Sequence, residues 1–263
     1  MGYGPAGEVA DPGPVRELLR TAALCSDARL VPPSGRDGWR VLGDTTEGAL
    51  LVAAGKAGVD PAAEEGRAPR VAEYPFDSDR KLMSTVHRDA AGAYVACVKG
   101  APLELLARCD AVEWEGASTP LTAALRDRVV AAADGMAGGG LRVLAVARRQ
   151  VAGAHPALGE VESGLTLLGL AGMYDPPRPE VRDAVDACRR AGIRIVMVTG
   201  DHPLTAEAVA RRVGIVRGPA PSVATGAQLD ALDDDGLDAL LAGSTELLLC
   251  RVSPEHKMRV VTA

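Results

Sequence analysis

The chain has 263 residues, of which 47% are hydrophobic and 24% charged, a balance that supplies a sizeable core and excludes a disordered, collagen-like or coiled-coil protein. The 35 acidic residues outnumber the 29 basic ones, and the net charge of −6 argues against general affinity for nucleic acids and other polyanions. A specific phosphate site is compatible with this charge, because it needs only a few placed donors. Aromatic residues make up 3% of the chain and include a single phenylalanine, Phe76, so Ala, Val and Leu must build the core.

The five cysteines are odd in number and form no C-x-x-C pair, so we expect reduced thiols that pack as small apolar residues, and no Cys/His zinc site. No run of 18 or more apolar residues occurs, and the first residues lack the apolar stretch of a signal peptide. We therefore expect the chain as given to be soluble.

Up to about residue 165, the sequence predicts an α+β arrangement with mostly hairpin-connected strands. Helices are predicted where apolar residues recur at helical spacing, and strands where apolar runs lie between turn signals. Asp89-Ala-Ala-Gly is such a turn signal, between two strands. The predicted helices cover residues 14–25, 48–57, 102–109 and 121–133, and the predicted strands cover 71–75, 82–88, 93–99 and 141–147.

After residue 165, strands and helices alternate, which indicates a parallel sheet of Rossmann-like type. The β-branched run 193–198 predicts a strand that is buried on both faces. The other predicted strands are 165–173 and 246–252, and the predicted helices are 180–191, 203–213, 228–242 and one that begins at residue 254. We expect two domains, residues 1–172 and 173–263.

Three polar clusters follow strands of the second domain, where ligands bind in doubly wound sheets. Together they supply carboxylates, a hydroxyl, a backbone turn and cations, which suits a phosphoryl group and Mg²⁺. Taken singly, each cluster has an ordinary explanation: a helix cap for Thr199 and Asp201, solvated helix charge for Arg251 and Lys257, and a turn before proline for Asp175. The clusters are Asp175-Pro-Pro-Arg, Thr199-Gly200-Asp201-His and Arg251-Val-Ser-Pro-Glu-His-Lys257.

A second constellation lies in the first domain. If its strands pair, Phe76, Lys81 and Lys99 surround one pocket, and the glycine after Lys99 allows close backbone approach. A ring face, cations and a glycine suit a purine with a phosphate tail, and stacking on a ring contributes about 1–3 kcal/mol per base. The alternative is that Phe76 is simply part of the core and that both lysines are surface charges. Composition alone favours that alternative.

These motifs, in this order, closely resemble the cytoplasmic part of P-type cation-transporting ATPases of the calcium-pump-like, type II branch. The resemblance extends over nearly the whole chain, from about residue 40 to residue 260. It rests on the three clusters of the second domain, on Thr205-Ala, and on Gly43-Asp-Thr-Thr-Glu-Gly-Ala-Leu, Phe76-Asp-Ser-Asp-Arg-Lys-Leu-Met-Ser and Lys99-Gly-Ala-Pro. Three positions depart from the family pattern: Thr45 replaces a common proline, Leu103 a glutamate, and His202 the asparagine of some pumps.

The resemblance implies an α+β nucleotide-binding domain, with a mainly antiparallel sheet flanked by helices, joined to part of a phosphorylation domain of haloacid-dehalogenase type. Phe76 would stack on the adenine of ATP, and Arg142 would reach the nucleotide phosphates. Arg251, also grouped with the nucleotide site, would link the two domains. Asp175 would be the hinge aspartate, and Lys257 would neutralise the phosphoryl group. The remaining implied residues are Glu47, Lys81, Lys99 and Gly100 at the nucleotide, and Thr199, Gly200 and Asp201 at the phosphoryl group.

The family's phosphorylated aspartate lies in a DKTGT motif and its metal-binding segment in TGDGVND, and neither occurs in this sequence. We therefore expect a soluble fragment from the cytoplasmic side of a membrane pump, with the Mg²⁺ ligands mostly outside the chain. It should bind ATP without turning it over and work with the actuator, transmembrane and remaining phosphorylation domains of its parent. The alternatives are a nucleotide-binding or regulatory module without catalysis and, with least support, a dehalogenase-type phosphatase.

Overall fold

A computed structural model describes residues 9–34, 38–114, 116–243 and 245–262. The chain divides into two compact units. Unit 1 comprises the residues up to Ala131 together with Val143–Met173, and unit 2 comprises Ala132–Arg142 together with the residues from Tyr174 onward. This division differs from the predicted one mainly in residues 132–142, which group with unit 2.

A seven-stranded sheet dominates unit 1, in the order β3-β4-β5-β8-β9-β6-β7. The strands from β3 to β8 pair antiparallel, as do β6 and β7, whereas β6 and β9 pair parallel. Up to Met173 the elements are, in chain order, α1 (Gly13–Leu24), β1 (Arg29–Val31), β2 (Arg40–Leu42), α2 (Thr45–Lys56), α3 (Pro61–Arg67), β3 (Arg70–Asp77), β4 (Leu82–Arg88), β5 (Tyr94–Gly100), α4 (Pro102–Leu106), β6 (Cys109–Trp114), β7 (Ala117–Pro120), α5 (Ala123–Gly138), β8 (Arg142–Val151), α6 (Leu158–Val161) and β9 (Leu165–Met173).

The two faces of this sheet are both buried, because successive residues of a strand point to opposite faces. In β5, Val98 belongs to a cluster with Leu105 of α4 and residues of α5, whereas Cys97 packs in a cluster with Leu24 at the end of α1. The α+β prediction is therefore confirmed: a mixed sheet is flanked by helices. The Asp89 hairpin is confirmed as well, since the Asp89 amide donates to the Ala93 carbonyl at 2.9 Å.

Several short elements of unit 1 were not predicted: β1, β2, α3, β6, β7 and α6. The predicted helix 102–109 was wrong at its end, because α4 stops at Leu106 and Cys109 already belongs to β6. Cys109 lies opposite Leu165 of β9, so a partner more than 50 positions away, rather than local periodicity, makes this segment a strand.

A buried histidine lies on β4, on the sheet face that α1 covers. With Nδ1 protonated, His87 donates to the Ala68 carbonyl at 2.9 Å, and its Nε2 accepts from the Thr85 hydroxyl at 2.9 Å. Burial, assisted by the positive charges of Arg70 and Arg20, lowers the pKa of His87 below its usual range. The folded protein therefore holds this side chain neutral at pH values where the unfolded chain already binds a proton.

We expect stability to fall as the pH drops below about 6.5, the ordinary histidine pKa, because the unfolded state then binds a proton that the folded state binds less tightly. Each tenfold difference in proton affinity corresponds to about 1.4 kcal/mol. Denaturant unfolding at pH 7.5, 6.5 and 5.5 measures this loss. His87→Gln, which keeps a donor and an acceptor but does not titrate, should lose less stability over the same range. An equal loss in both proteins would contradict the assignment.

In unit 2, from Tyr174 onward, the elements are α7 (Val181–Arg190), β10 (Val196–Val198), α8 (Pro203–Val213), β11 (Ser222–Thr225), α9 (Gly226–Asp230), α10 (Asp234–Gly243), β12 (Leu247–Cys250) and α11 (Pro254–Thr262). The three strands form a parallel sheet in the order β10-β12-β11. All four residues of the central β12 are fully buried. They pack with Ala224, Leu229 and Leu237 on one side and Ala206 and Ala210 on the other.

Two predictions in unit 2 were wrong in detail. The expected doubly buried strand 193–198 is only Val196–Val198 and is partly buried, because β10 is an edge strand of the sheet, and Ile193 is 59% exposed. The expected helix 228–242 is two helices, α9 and α10. The carboxylate of Asp233 accepts from the Gly236 amide at 2.9 Å, so α10 has a capped start of its own.

The five cysteines are free thiols, and all but Cys188 are buried. Burial raises the pKa of Cys109 to about 12 and that of Cys250 to about 11, which keeps these thiols protonated and unreactive. Within the described residues, no helix is both long enough and apolar enough to cross a membrane.

Candidate functional site

Phe76 lies at the end of β3, and its side chain is 64% exposed. The alternative that it belongs to the core is therefore wrong. The register places Asp77 opposite Leu82, and Leu82 opposite Gly100. The ends of β3 and β5 and the start of β4 thus gather at one corner of the sheet, with Phe76, Lys81, Lys99 and Gly100 all at that corner.

Lys81 lies in the turn between β3 and β4, with an unusual φ of 54°. Its amide donates to the Asp77 carbonyl at 2.6 Å, which closes the turn. The ammonium group pairs with Glu104 at 2.5 Å. Sequence reasoning missed Glu104 as a partner, although the family's glutamate stands one position earlier, where this chain has Leu103. The structure thus places a carboxylate at this corner, on the residue that follows Leu103.

Lys99 and Glu47 form a buried ion pair, with 2.5 Å between Nζ and Oε1. Lys99 is 5% exposed, and its Nζ also donates to the Ser26 hydroxyl at 3.0 Å. The other Glu47 oxygen accepts from the amides of Asp27 and Ala28, both at 2.8 Å. The structure thus brings together two predicted residues, but their charges satisfy each other inside the protein. Ser26 was not predicted, and nothing in its sequence context indicated this contact.

Gly100 is required by the protein's own packing. A Cβ atom built at this position would lie 2.3 Å from the Lys81 carbonyl oxygen and 2.6 Å from Cδ2 of Leu82. The sequence had suggested that a glycine here lets a ligand approach the backbone. In the structure it lets the β3–β4 turn approach β5, which holds Lys81 beside the end of β5.

Two cavities lie in unit 1, and both are lined by His87, near the end of β4 away from this corner. One of about 950 Å³ lies among α1, α2, α3 and Trp39, and Ser26, the contact of Lys99, lines it. The other, of about 400 Å³, is lined by Arg20, His87, Cys97 and Arg148. Neither of these two cavities is lined by Phe76, Lys81 or Lys99. At the sheet corner, Phe76 and Lys81 reach the surface, whereas Lys99 is buried.

In unit 2, the loop after β10 is held by its own side chains. The Thr199 hydroxyl donates to the Asp201 carboxylate at 2.9 Å and accepts from the Asp201 amide at 3.1 Å. Neither residue caps α8, whose N-cap is His202. The helix-cap alternative is therefore wrong, and Gly200 forms the exposed tip between the two bonded side chains.

The loop after β12 is joined to the loop after β10 through the backbone. The Arg251 amide donates to the Asp201 carbonyl at 3.1 Å, and the Val252 amide donates to the Thr199 carbonyl at 3.2 Å. Arg251 has a φ of 51°, and a Cβ built on Gly226 would lie 2.5 Å from its carbonyl oxygen, so only glycine fits beside it. The two strand ends therefore form one edge, as the parallel sheet predicted.

Three further predicted residues are exposed. Lys257 lies in the first turns of α11, where its amide donates to the Ser253 carbonyl at 3.2 Å. Asp175 lies in the segment without regular structure between β9 and α7. Arg142 is the first residue of β8 and groups with unit 2.

The chain is an α+β protein in which helices flank a mixed sheet and charged residues cluster at one corner of that sheet. Residues 14–180 match the family model of the P-type ATPase cytoplasmic domain N. The chain belongs to this family.

Curated relatives match nearly the full chain. The cation-transporting ATPase pma1 of Synechocystis is 38% identical over 262 residues, and the calcium-transporting ATPase of Bacillus subtilis is 36% identical over 273. Calcium-transporting ATPase 1 of Bacillus cereus is 39% identical over 248 residues. These matches cover 96%, 100% and 94% of this chain, respectively, but only 27%, 30% and 27% of the relatives. The chain therefore spans less than a third of the length of these transporters.

Proposed function

We propose that unit 1 binds ATP at the corner formed by β3, β4 and β5, and that the chain is the nucleotide-binding part of an ATP-driven cation transporter. The observation that carries the proposal is the largely exposed ring of Phe76, next to Lys81 on the same corner. An exposed ring in a chain with one phenylalanine has little packing role, whereas adenine stacks on such a face. The names of the relatives, which are transport ATPases, support the proposal that the chain is part of a cation transporter.

The predicted nucleotide residues of unit 1 each have a role that fits this corner. Lys81 is partly exposed, and its ammonium group would bind phosphate oxygens in place of the Glu104 carboxylate with which it pairs. The buried Glu47–Lys99 pair shapes the wall behind it, and Gly100 holds the turn in place. Arg142 and Arg251 are exposed cations. In the whole transporter, Arg142 would contact the nucleotide phosphates and Arg251 would link the two domains.

We propose that the edge of unit 2 receives the phosphoryl group after its transfer to an aspartate outside this chain. The pattern of a dehalogenase-type phosphorylation domain supports this assignment for residues 173–263, beside a nucleotide-binding domain of residues 1–172. Thr199, Gly200 and Asp201 would hold the group, Lys257 would neutralise it, and Asp175 would serve as the hinge. This part would lie on the cytoplasmic side of the membrane, working with the actuator, transmembrane and remaining phosphorylation domains.

The described residues do not form a metal site, since nowhere do three His, Cys, Asp or Glu side chains group together as ligands. Asp201 is engaged by Thr199, and Asp175 lies in a separate segment. These residues therefore do not fit a resident Mg²⁺ ion. Mg²⁺ would arrive bound to the phosphates of ATP, with its protein ligands mostly outside this chain.

We expect the chain to bind ATP but not to hydrolyse it, because the residue that accepts the phosphoryl group is not in the sequence. Isothermal titration calorimetry measures binding, and a phosphate-release assay with ATP and Mg²⁺ measures turnover. Measurable binding with release at the background rate is the expected result. Absence of binding would contradict the nucleotide site, whereas steady phosphate release would favour a phosphatase of the dehalogenase class.

A further inference from the structure

A buried carboxylate lies beneath the β3–β4 turn. Glu162, the residue directly after α6, is 1% exposed. Its Oε1 accepts from the Ser84 hydroxyl at 2.7 Å and from the guanidinium of Arg80, and its Oε2 lies 3.7 Å from Nη1 of Arg108. A carboxylate this deep is costly to bury unless it is paired, so the arginines and the hydroxyl are needed to hold it there.

Arg80 connects this carboxylate to the backbone beside Phe76. While Nη1 donates to Glu162, Nη2 donates to the Pro75 carbonyl at 2.9 Å. Pro75 is the residue directly before Phe76. The Arg80 guanidinium therefore links the backbone that carries the Phe76 ring to the buried Glu162 carboxylate. A planar guanidinium suits this task because its two terminal nitrogens donate at separate, fixed positions, whereas an ammonium group carries all its donors on one nitrogen.

The other side of Phe76 is held by Asp77. Its carboxylate accepts from the amides of Asp79 and Arg80, both at 2.9 Å, and these bonds lower its pKa below the usual range. The backbone on both sides of Phe76 is therefore bonded. The ring itself is mostly exposed, so its position depends on this backbone and not on side-chain packing.

We propose that Arg80 and Glu162 are positioning residues for the nucleotide site: they hold the Phe76 ring in the orientation in which it stacks on the base. This inference rests on the proposed function. It assigns a role to Glu162, which lies 82 positions from Arg80 in sequence and outside the motifs that indicated the site. Arg80 acts through Phe76 and does not itself contact the phosphates.

The test compares two ligands, ATP and inorganic tripolyphosphate, which carries the phosphates without the base. Arg80→Ala should raise the Kd for ATP about threefold to tenfold, part of the full value of a stacked base, and leave the Kd for tripolyphosphate unchanged. In a Phe76→Ala background, Arg80→Ala should have no further effect on ATP, because the ring that it positions is gone. A merely structural role would not produce this dependence on Phe76.

Arg126→Ala is the matched control. Arg126 is also a partly buried guanidinium that donates to two carbonyls, those of Leu106 at 2.7 Å and Cys109 at 3.3 Å, but it has no bond to the turn. It should leave the ratio of the two Kd values unchanged. If Arg80→Ala does not fold, Arg80→Lys keeps a positive charge for Glu162 but carries all its donors on one nitrogen, in place of the separate Nη1 and Nη2 that bond Glu162 and Pro75. This variant should still raise the Kd for ATP.

Three results would overturn the inference: equal weakening of both ligands by Arg80→Ala, effects of Arg80→Ala and Phe76→Ala that multiply, or unchanged ATP affinity in both Arg80 variants. The failure of the proposed function looks different. In that case Phe76→Ala itself leaves ATP affinity unchanged, whatever Arg80 does.

Discussion

Replacement of Phe76 by alanine is expected to weaken ATP binding about fivefold to 150-fold, which corresponds to the 1–3 kcal/mol that one stacked base contributes. The free energy of unfolding should change by no more than about 0.5 kcal/mol, because substitutions of largely exposed side chains outside special features have small effects. The ring is 64% exposed, so its removal leaves no cavity in the core. The combination of a large binding effect and a small stability effect identifies a ligand platform.

Calorimetric titration with ATP and denaturant unfolding measure the two effects on the same samples. Phe76→Trp should retain binding, because an indole also stacks, whereas Phe76→Leu should behave like the alanine variant. Trp114→Ala is the matched control: it removes another partly exposed aromatic ring, near the opposite edge of the same sheet, and should leave ATP affinity unchanged. Unaltered ATP affinity in Phe76→Ala would refute the site, and unfolding of this variant would contradict the expectation that the exposed ring contributes little to stability.

Glu47→Ala is expected to destabilise unit 1 by about 3–5 kcal/mol, because it leaves the ammonium group of Lys99 buried without its counter-charge. The loss is compounded by the amides of Asp27 and Ala28, which lose their shared acceptor. Lys99→Met should cost less, since the carboxylate then keeps those two backbone donors. Urea unfolding of the three proteins gives this order directly.

The double variant Glu47→Ala/Lys99→Met measures the interaction free energy between the two side chains. It should be more stable than Glu47→Ala alone, because the uncompensated charge has been removed. Glu73→Ala, which breaks an exposed contact to Arg70 at 2.9 Å, is the control and should cost no more than about 1 kcal/mol. Stability losses that add in the double variant would show that the pair is not coupled.

Local sequence patterns predicted the longer elements well, because these elements carry their own signals. The helices α1, α5, α7 and α8 and the strands β4, β5, β9 and β12 all lie where periodicity and turn residues indicated them. The strands β1, β2, β6, β7 and β11 were not predicted from local patterns. Pairing decides their structure: β1 pairs with β2, β6 with β7 and β9, and β11 with β12. The break between α9 and α10 was visible only as the run Asp233–Asp235, whose first member caps the second helix.

At the candidate site, the sequence specified the residue types and their order, and with them the family, because Phe76, the lysines and the motifs after the parallel strands are local features of the chain. It also limited the chemistry to a few placed donors, since the net charge is negative. The tertiary structure alone decided how these groups are used. In the folded chain the one phenylalanine is exposed, and Lys99 is buried in an ion pair with Glu47. Lys81 pairs with Glu104, and Arg80 pairs with Glu162. Each of these outcomes depends on which segments meet in space, and pairings between residues 23 to 82 positions apart leave no periodic trace in the sequence.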